Sequence, residues 1–334
     1  MTKRPAPASD ETIIQAPRRV VHAAPRRTGK DVALGAGIGL VIVLLAVGIG
    51  WAVWSGLGSV RTSVSQSAPG PVVPPALAIK TATMEQIRRH EPIDVSFIRL
   101  AENPHIVVVD FASLVRQGGM LDRVAALIEK ADLPRDRILN ASELARAVKA
   151  GGDMEGGFYY GHDYSAASLI RFFAVVDRDH IDLAPEEAML RRLLNELGWS
   201  KPGVAAGLIS LPRVGADSKI TAAARDVILT HELAHGEYFS NPEYAAYVHR
   251  FFLTVMTEAE REGFRGFLAH DGYDTGNPEL VENETQAYLV FTPDPRFFMP
   301  SQVKMTQDRR AELRSVFLLN MRAGWLKDVL AGIL

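Results

Sequence analysis

Two histidines and a glutamate stand together in ILTHELAHGEYF, residues 228–239, inside a run that is otherwise apolar. His231 and His235 are four apart, so on a helix both imidazoles leave one face a turn apart and can reach one ion. Zinc is held by imidazole nitrogen at about 2.0–2.1 Å. Glu232, one residue after the first histidine, points to the side of the pair, placed to hydrogen-bond a water rather than to ligate. The competing reading is a polar core cluster with no metal. It requires two histidines and a glutamate to be buried unpartnered among Val227, Ile228, Leu229, Leu233 and Ala234, which is costly.

A catalytic zinc takes three protein ligands and keeps one position open. The third is expected in ELVENETQAYLVF, where Glu284 falls on the helical stripe Val281, Glu284, Tyr288, Phe291. A carboxylate on an apolar stripe calls for a cation beside it. Glu282, on the more polar side with Gln286, is one rival. His270, Asp271 and Asp274 in LAHDGYDTG form another. With zinc on His231, His235 and Glu284, Glu232 is expected to take the proton from a water attacking a carbonyl and return it to the leaving amine. The donor to the developing oxyanion is expected to be Tyr288, one turn from Glu284, with Tyr273 and His162 as alternatives. His162, in YYGHDYS, also reads as an ordinary loop residue.

HELAH followed downstream by Asn283-Glu284-x-x-Ala287 resembles the gluzincin zinc metallopeptidases, whose third ligand is a glutamate on a second helix. The resemblance covers two short motifs, with Asn-Glu-x-x-Ala familiar in the aminopeptidase branch. It implies a zincin-like domain, zinc as cofactor, His231, His235 and Glu284 as ligands, and Glu232 as the base. This sequence departs from the pattern in two places. Glu237 stands where many such families keep an apolar residue, and Tyr288 where the thermolysin-like branch has an aspartate that orients a zinc-bound histidine. Partners for the two histidines must therefore come from elsewhere in the chain. Gly152-Asp153-Met154-Glu155-Gly156 is faintly similar to the substrate-amine loop of the aminopeptidases, and the third histidine of the metzincins is absent after His235.

The elements that must position these groups are mostly helical. HIVVVDF, residues 105–111, and VAAGLISLP read as buried strands. LVRQGGMLDRVAALIEKA has helical spacing broken by Gly118 and Gly119. Asn140 with Glu143 starts a helix over ELARAVKA. SLIRFFAVVDR and PEEAMLRRLLNELG are amphipathic helices, and GGDMEGGFYYGHDYS is a glycine-dense, aromatic loop or strand turn. Asp217 or Ser218 is expected to cap the HELAH helix, and one long helix is expected around AELRSVFLLNMRAGWLKDVL. The fold class is mostly α, in the α+β sense, with a small sheet.

Ahead of this domain, residues 32–54 form an uncharged apolar run long enough to cross a bilayer. Trp51 and Trp54 mark its far end, where interfacial aromatics sit. Lys3, Arg4, Arg18, Arg19, Arg26, Arg27 and Lys30 precede it, and only Arg61 follows before Lys80, so the positive-inside rule keeps the tail in the cytoplasm. The organisation expected is a disordered basic tail (1–31), a transmembrane helix (32–54), a Ser/Gly/Pro-rich tether (55–80) and an extracytoplasmic domain (81–334). That domain is periplasmic if the cell is Gram-negative. Gly35 and Gly39 form a small-xxx-small pair through which two such helices could pair into a homodimer.

Among the 334 residues there is no cysteine, which removes disulfides, thiolate catalysis and cysteine-ligated metals. A formal net charge of -2 argues against a nucleic-acid partner. The function expected is a membrane-anchored zinc peptidase acting on extracytoplasmic proteins or peptides. The alternative is an envelope-associated binding or scaffold domain with a structural or degenerate zinc site.

Overall fold

The computed structural model describes residues 76–151 and 157–331. The expected tail, the apolar span, most of the tether and residues 152–156 lie outside the described residues. No helix among the described residues is long and apolar enough to cross a membrane.

Folded structure begins slightly ahead of Thr81, with β1 (Ile79–Ala82). Thr83 and Gln86 form a capping box over α1 (Met84–Arg88), and β2 (Val95–Leu100) and β3 (Ile106–Phe111) follow. Then come α2 (Leu114–Ile128), α3 (Ala141–Gly151), β4 (His162–Ser165), α4 (Ala166–Arg178), α5 (Pro185–Leu197) and β5 (Gly207–Pro212). The rest is helical: α6 (Ala222–Ser240), α7 (Pro242–Thr254), α8 (Glu258–His270), α9 (Pro278–Gln286), α10 (Gln307–Asn320) and α11 (Trp325–Leu330). A π-helical turn, Ala287–Phe291, runs straight on from α9. The chain is mostly helix with one small sheet, as the sequence pattern led us to expect.

The five strands lie in the order β1-β2-β3-β5-β4. β1 runs parallel to β2 and β3 parallel to β5, while β2–β3 and β5–β4 are antiparallel. β3 and β5 are buried along their whole length, which explains why both read as unbroken apolar runs rather than alternating ones. Residues along β3 alternate between two cores. Ile106 and Val108 pack with Ile228, Leu229, Leu233 and Ala234 of α6, whereas Val107, Val109 and Phe111 pack with α2, α4 and α5. Fully burying a leucine such as Leu229 or Leu233 contributes about 1.5–3 kcal/mol. These contacts fix the face of α6 that must turn inward.

Two glycines let α6 sit close on the sheet. A Cβ at Gly236 would come within 3.0 Å of Ile106, and one at Gly207 within 3.0 Å of the Gly236 backbone. Asp110, at the next α6-facing position of β3 after Val108, receives both Arg225 amino groups, at 2.9 and 2.8 Å, and His90 Nδ1 lies at 2.7 Å. This buried pair ties the first turn of α6 to the sheet's centre.

Four local expectations are corrected. Gly118 and Gly119 do not break α2, which runs intact through both and buries Gly118 together with Leu114, Met120, Leu121 and Val124. α6 starts at Ala222 under a Thr221 cap, because Asp217 spends its side chain on the Lys219 amide of the preceding turn. The C-terminal helix is divided at Met321–Gly324, where Met321 is buried and Trp325 Nε1 donates to Glu237 at 2.9 Å. The segment around His162 is not wholly loop. It supplies β4, the outermost strand next to β5, and His162 is buried there. Asn140 does cap α3, exchanging bonds with Glu143 in both directions at 3.0 Å.

Candidate metal centre

Residues 281–286 of α9 are buried in an unbroken row, Val281-Glu282-Asn283-Glu284-Thr285-Gln286. A helix buried this fully must satisfy its polar groups internally, and nearly all of them are satisfied. Glu282 takes His249 Nδ1 at 2.9 Å, Gln286 accepts from the Tyr244 hydroxyl at 2.9 Å, and Thr285 donates to the Val281 carbonyl at 2.6 Å. Asn283 accepts from Gln286 at 3.3 Å. Glu284 Oε2 has no hydrogen-bond partner. It faces the two histidines of α6 instead.

His235 Nε2 lies 3.1 Å from His231 Nε2 and 3.7 Å from Glu284 Oε2, and His231 Nε2 lies 3.8 Å from the same oxygen. The point equidistant from three atoms so spaced is about 2.1 Å from each, the length of a Zn–N bond. Among the described residues this trio is the one group of side chains spaced to hold a metal ion.

The His231 tautomer agrees with that placement. Thr292 Oγ1 donates to the Ala287 carbonyl at 2.9 Å, so its lone pair is left to accept from His231 Nδ1 at 2.8 Å. His231 therefore carries its proton on Nδ1 and offers Nε2 as a lone pair. The π-helical turn makes this possible, because the Ala287 carbonyl meets a residue five along the chain. α10 meets three more of the turn's carbonyls and that of Thr292 just after it: Arg310 reaches those of Tyr288, Leu289 and Thr292, and Arg314 that of Val290. Asp163 Oδ1, on β4, is 3.5 Å from His235 Nδ1, a buried nitrogen that has no hydrogen-bond partner. A partner on the far nitrogen is the usual companion of a metal-bound histidine. The two Nε2 atoms lie at hydrogen-bond distance, so without a metal His235 can donate to His231, whereas a metal ion would take both lone pairs.

Electrostatics point the same way. Burial pushes His235 down to about 4, against a hydrogen bond that the ring gives to Asn283, and burial with His235 alongside holds His231 well below its usual range. Both rings are neutral at pH 7, as ligation requires. Burial and the carboxyls of Asp163 and Glu129 drive Glu284 and Glu232 well above the ordinary carboxylate range. Burial also lifts Asp163 to about 7 and, with Asp163 beside it, Glu129 to about 8, where the Tyr164 hydroxyl pulls it back. Four buried carboxyls with Lys130 near Glu129 leave a deficit of positive charge that a divalent ion would fill.

Glu232 does not ligate. It is buried, its Oε2 lacks a partner, and its carboxyl lies on the Gly161 backbone at the entry to β4. A Cβ at residue 161 would come within 2.6 Å of the Glu232 carboxyl carbon. Tyr288 stands against the metal trio, its ring edge-on to His231 at 4.8 Å, and its hydroxyl interacts with that of Tyr273. The Tyr159 ring stacks on Tyr273 at 5.3 Å, and its buried hydroxyl has no partner.

The rival ligands go elsewhere. Glu282 is held by His249, Asp274 by Arg135, and His270 and Asp271 line a cavity beside α8. His162 Nδ1 sits with Gln117 and Ser210 at 3.0 and 3.2 Å, deep between β4, β5 and α2. Glu237, the departure from the family pattern, is a structural carboxylate taking the side-chain amides of Asn103 and Asn241 as well as Trp325.

Sequence reasoning missed Asp163, Thr292, Gly161 and Glu129. The glycine-dense aromatic stretch before β4 marked the right neighbourhood for two of them. Thr292 carried no signal, being 61 residues from the histidine it orients. No protein-family model, curated protein or solved structure matches the chain.

Proposed function

We propose that this chain is a membrane-anchored zinc peptidase, related in its chemistry to the gluzincins, whose domain works on the extracytoplasmic side. The observation that carries the reading is the trio His231, His235 and Glu284, spaced around one point at zinc–ligand distance, with the free Glu232 carboxyl alongside. The anchor rests on the apolar run at 32–54 and its basic flank. Held by His231, His235 and Glu284, zinc would supply a Lewis acid able to polarise a carbonyl and to make water more acidic.

The protein's own groups do the rest. Thr292 holds the His231 imidazole in the tautomer that leaves Nε2 free, and the Asp163 carboxyl lies 3.5 Å from His235 Nδ1. Glu232, pinned on Gly161, accepts the proton of the attacking water and carries it to the leaving amine. The Tyr288 hydroxyl, partnered by Tyr273, donates to the oxygen on which negative charge develops. The buried setting strengthens each of these interactions. A protein or peptide is the substrate class that this chemistry serves.

The depth of the site favours a second reading, a scaffold domain with a purely structural zinc, since His235 and Glu284 are 0% and 1% exposed. Metal analysis and peptide hydrolysis on the same preparation separate the two. The peptidase binds about one zinc per chain and cleaves peptides, and Glu232→Gln keeps the zinc while abolishing cleavage. If zinc is bound, no peptide is cut, and Glu284→Ala lowers only the melting temperature, the structural reading replaces it. A chain that binds no zinc refutes both.

A further inference from the structure

A cavity of about 800 Å³ opens beside α8. It is of the size that takes small ligands or long side chains. Phe267 and Phe297 give it aromatic walls, and Gly266 faces it where a Cβ would meet nothing within 4 Å. Two packed rings, Phe267 and Tyr288, stand between it and the candidate metal centre. The Phe267 ring packs on Tyr288 at 5.0 Å and Tyr288 on His231 at 4.8 Å. Phe267 and His231 are therefore within about 10 Å of each other, a span of about three extended residues at about 3.3 Å each.

The charged groups on this lining differ in how they are used. Glu262 is exposed and paired to Arg265, and Lys304 is exposed. Asp271, at the end of α8, is partly buried, and among the described residues no donor hydrogen-bonds its carboxylate. Its burial raises the carboxyl to about 7, with Lys130 drawing it back. A half-buried carboxylate at the end of an aromatic-walled cavity is complementary to one shape of ligand, an apolar stem ending in a cation.

We propose that this cavity receives a lysine or arginine side chain of the substrate, with Asp271 as its counter-charge. The assignment rests on the peptidase reading and adds to it a substrate class, peptides carrying a basic residue within about three positions of the cleaved bond. The aromatic walls take the methylene stem, and the glycine face of α8 leaves room for it.

The test is cleavage of a randomised peptide library by the zinc-loaded full chain, read by mass spectrometry. Lysine and arginine should be enriched at one fixed position relative to the cut. Against a matched pair of peptides with lysine or norleucine there, Asp271→Asn should reduce the lysine-to-norleucine ratio of kcat/KM about tenfold or more. Gly266→Leu, which fills the cavity without a clash, should depress long side chains relative to alanine at the same position. No basic enrichment, an acidic preference, or a basic preference untouched by both variants overturns the assignment. If the chain cleaves nothing, the peptidase reading falls. Calorimetric titration with acetyl-arginine amide then decides the cavity separately: binding that Asp271→Asn weakens keeps the cation site, and no binding removes it.

Discussion

Replacing Gly161 with alanine tests the catalytic geometry without touching a group that reacts. The added methyl would lie 2.0 Å from Glu232 Oε1 and 2.6 Å from its carboxyl carbon. Non-bonded heavy atoms in ordinary contact are about 3.5 Å apart, so the carboxyl must retreat by about 1 Å or more. Misplacing a reacting group by about 1 Å costs about a hundredfold in rate, or about 2.7 kcal/mol in the barrier. Residue 161 does not adopt a left-handed conformation, so alanine brings no backbone strain there. The fold and the three ligands should survive intact. The expected result is kcat down about a hundredfold, zinc content unchanged and thermal stability altered by no more than about 1–2 kcal/mol.

Glu232→Asp supplies the control. It shortens the side chain by one carbon–carbon bond, about 1.5 Å, which is comparable to the retreat the methyl demands. Glu232→Asp alone should be slow, but adding Gly161→Ala to it should cost almost nothing further. That non-additivity is the signature of two groups competing for one space. Steady-state hydrolysis of one peptide by the four proteins of the cycle, with metal analysis on each, gives the answer. Full activity in Gly161→Ala, loss of zinc in it, or strictly additive effects would each refute the placement of Glu232.

Three other perturbations probe the surroundings. Thr292→Val keeps the shape but removes the acceptor of the His231 Nδ1 proton, and zinc affinity measured by chelator competition should fall about 10–100-fold; unchanged affinity would show that the tautomer is set by something else. Asp110→Ala leaves the buried Arg225 guanidinium without its carboxylate and should cost about 3–5 kcal/mol in urea unfolding, with a cost under about 1 kcal/mol counting against the pair as the anchor of α6. Glu129 has its carboxyl raised to about 8 by burial, so its contribution is fully present below about 4.5 and is lost as pH rises through about 8. Up to about pH 7 Lys130, lowered to about 8, stays largely protonated folded and unfolded and adds little slope of its own. Glu129→Gln should therefore flatten the fall in stability between pH 5 and 7, and parallel pH profiles for the two proteins over that range would contradict it.

What the sequence made legible was whatever repeats along one element. The spacing of His231 and His235, and the place of Glu284 on the stripe with Val281 and Tyr288, are periodic facts about single helices, and each survives in the fold. The strands β3 and β5 were readable because both faces of the sheet's centre are covered, leaving continuous apolar runs. β1 and β4 were not, since short outer strands such as HDYS alternate too few residues to show a period. The two glycines of α2 misled because local propensity is a weak prior, and the buried face of Leu114, Met120, Leu121, Val124 and Leu127 holds the helix together through them.

The partners of the histidines were illegible for a deeper reason. Thr292 reaches His231 through a π-helical turn, and Asp163 reaches His235 from the opposite end of the sheet order from β1; neither position follows from local pattern. Yet the need for them was legible. Tyr288, standing where the thermolysin-like branch has an orienting aspartate, implied that another group must do that work. The fold meets the requirement on one ring with a threonine, and it places a carboxyl 3.5 Å from the far nitrogen of the other. That Asp163 carboxyl also works against the ionised forms of Glu232 and Glu284. A cation held by the trio would relieve this, so the side chain on β4 nearest to His235 is also one that favours a metal ion there.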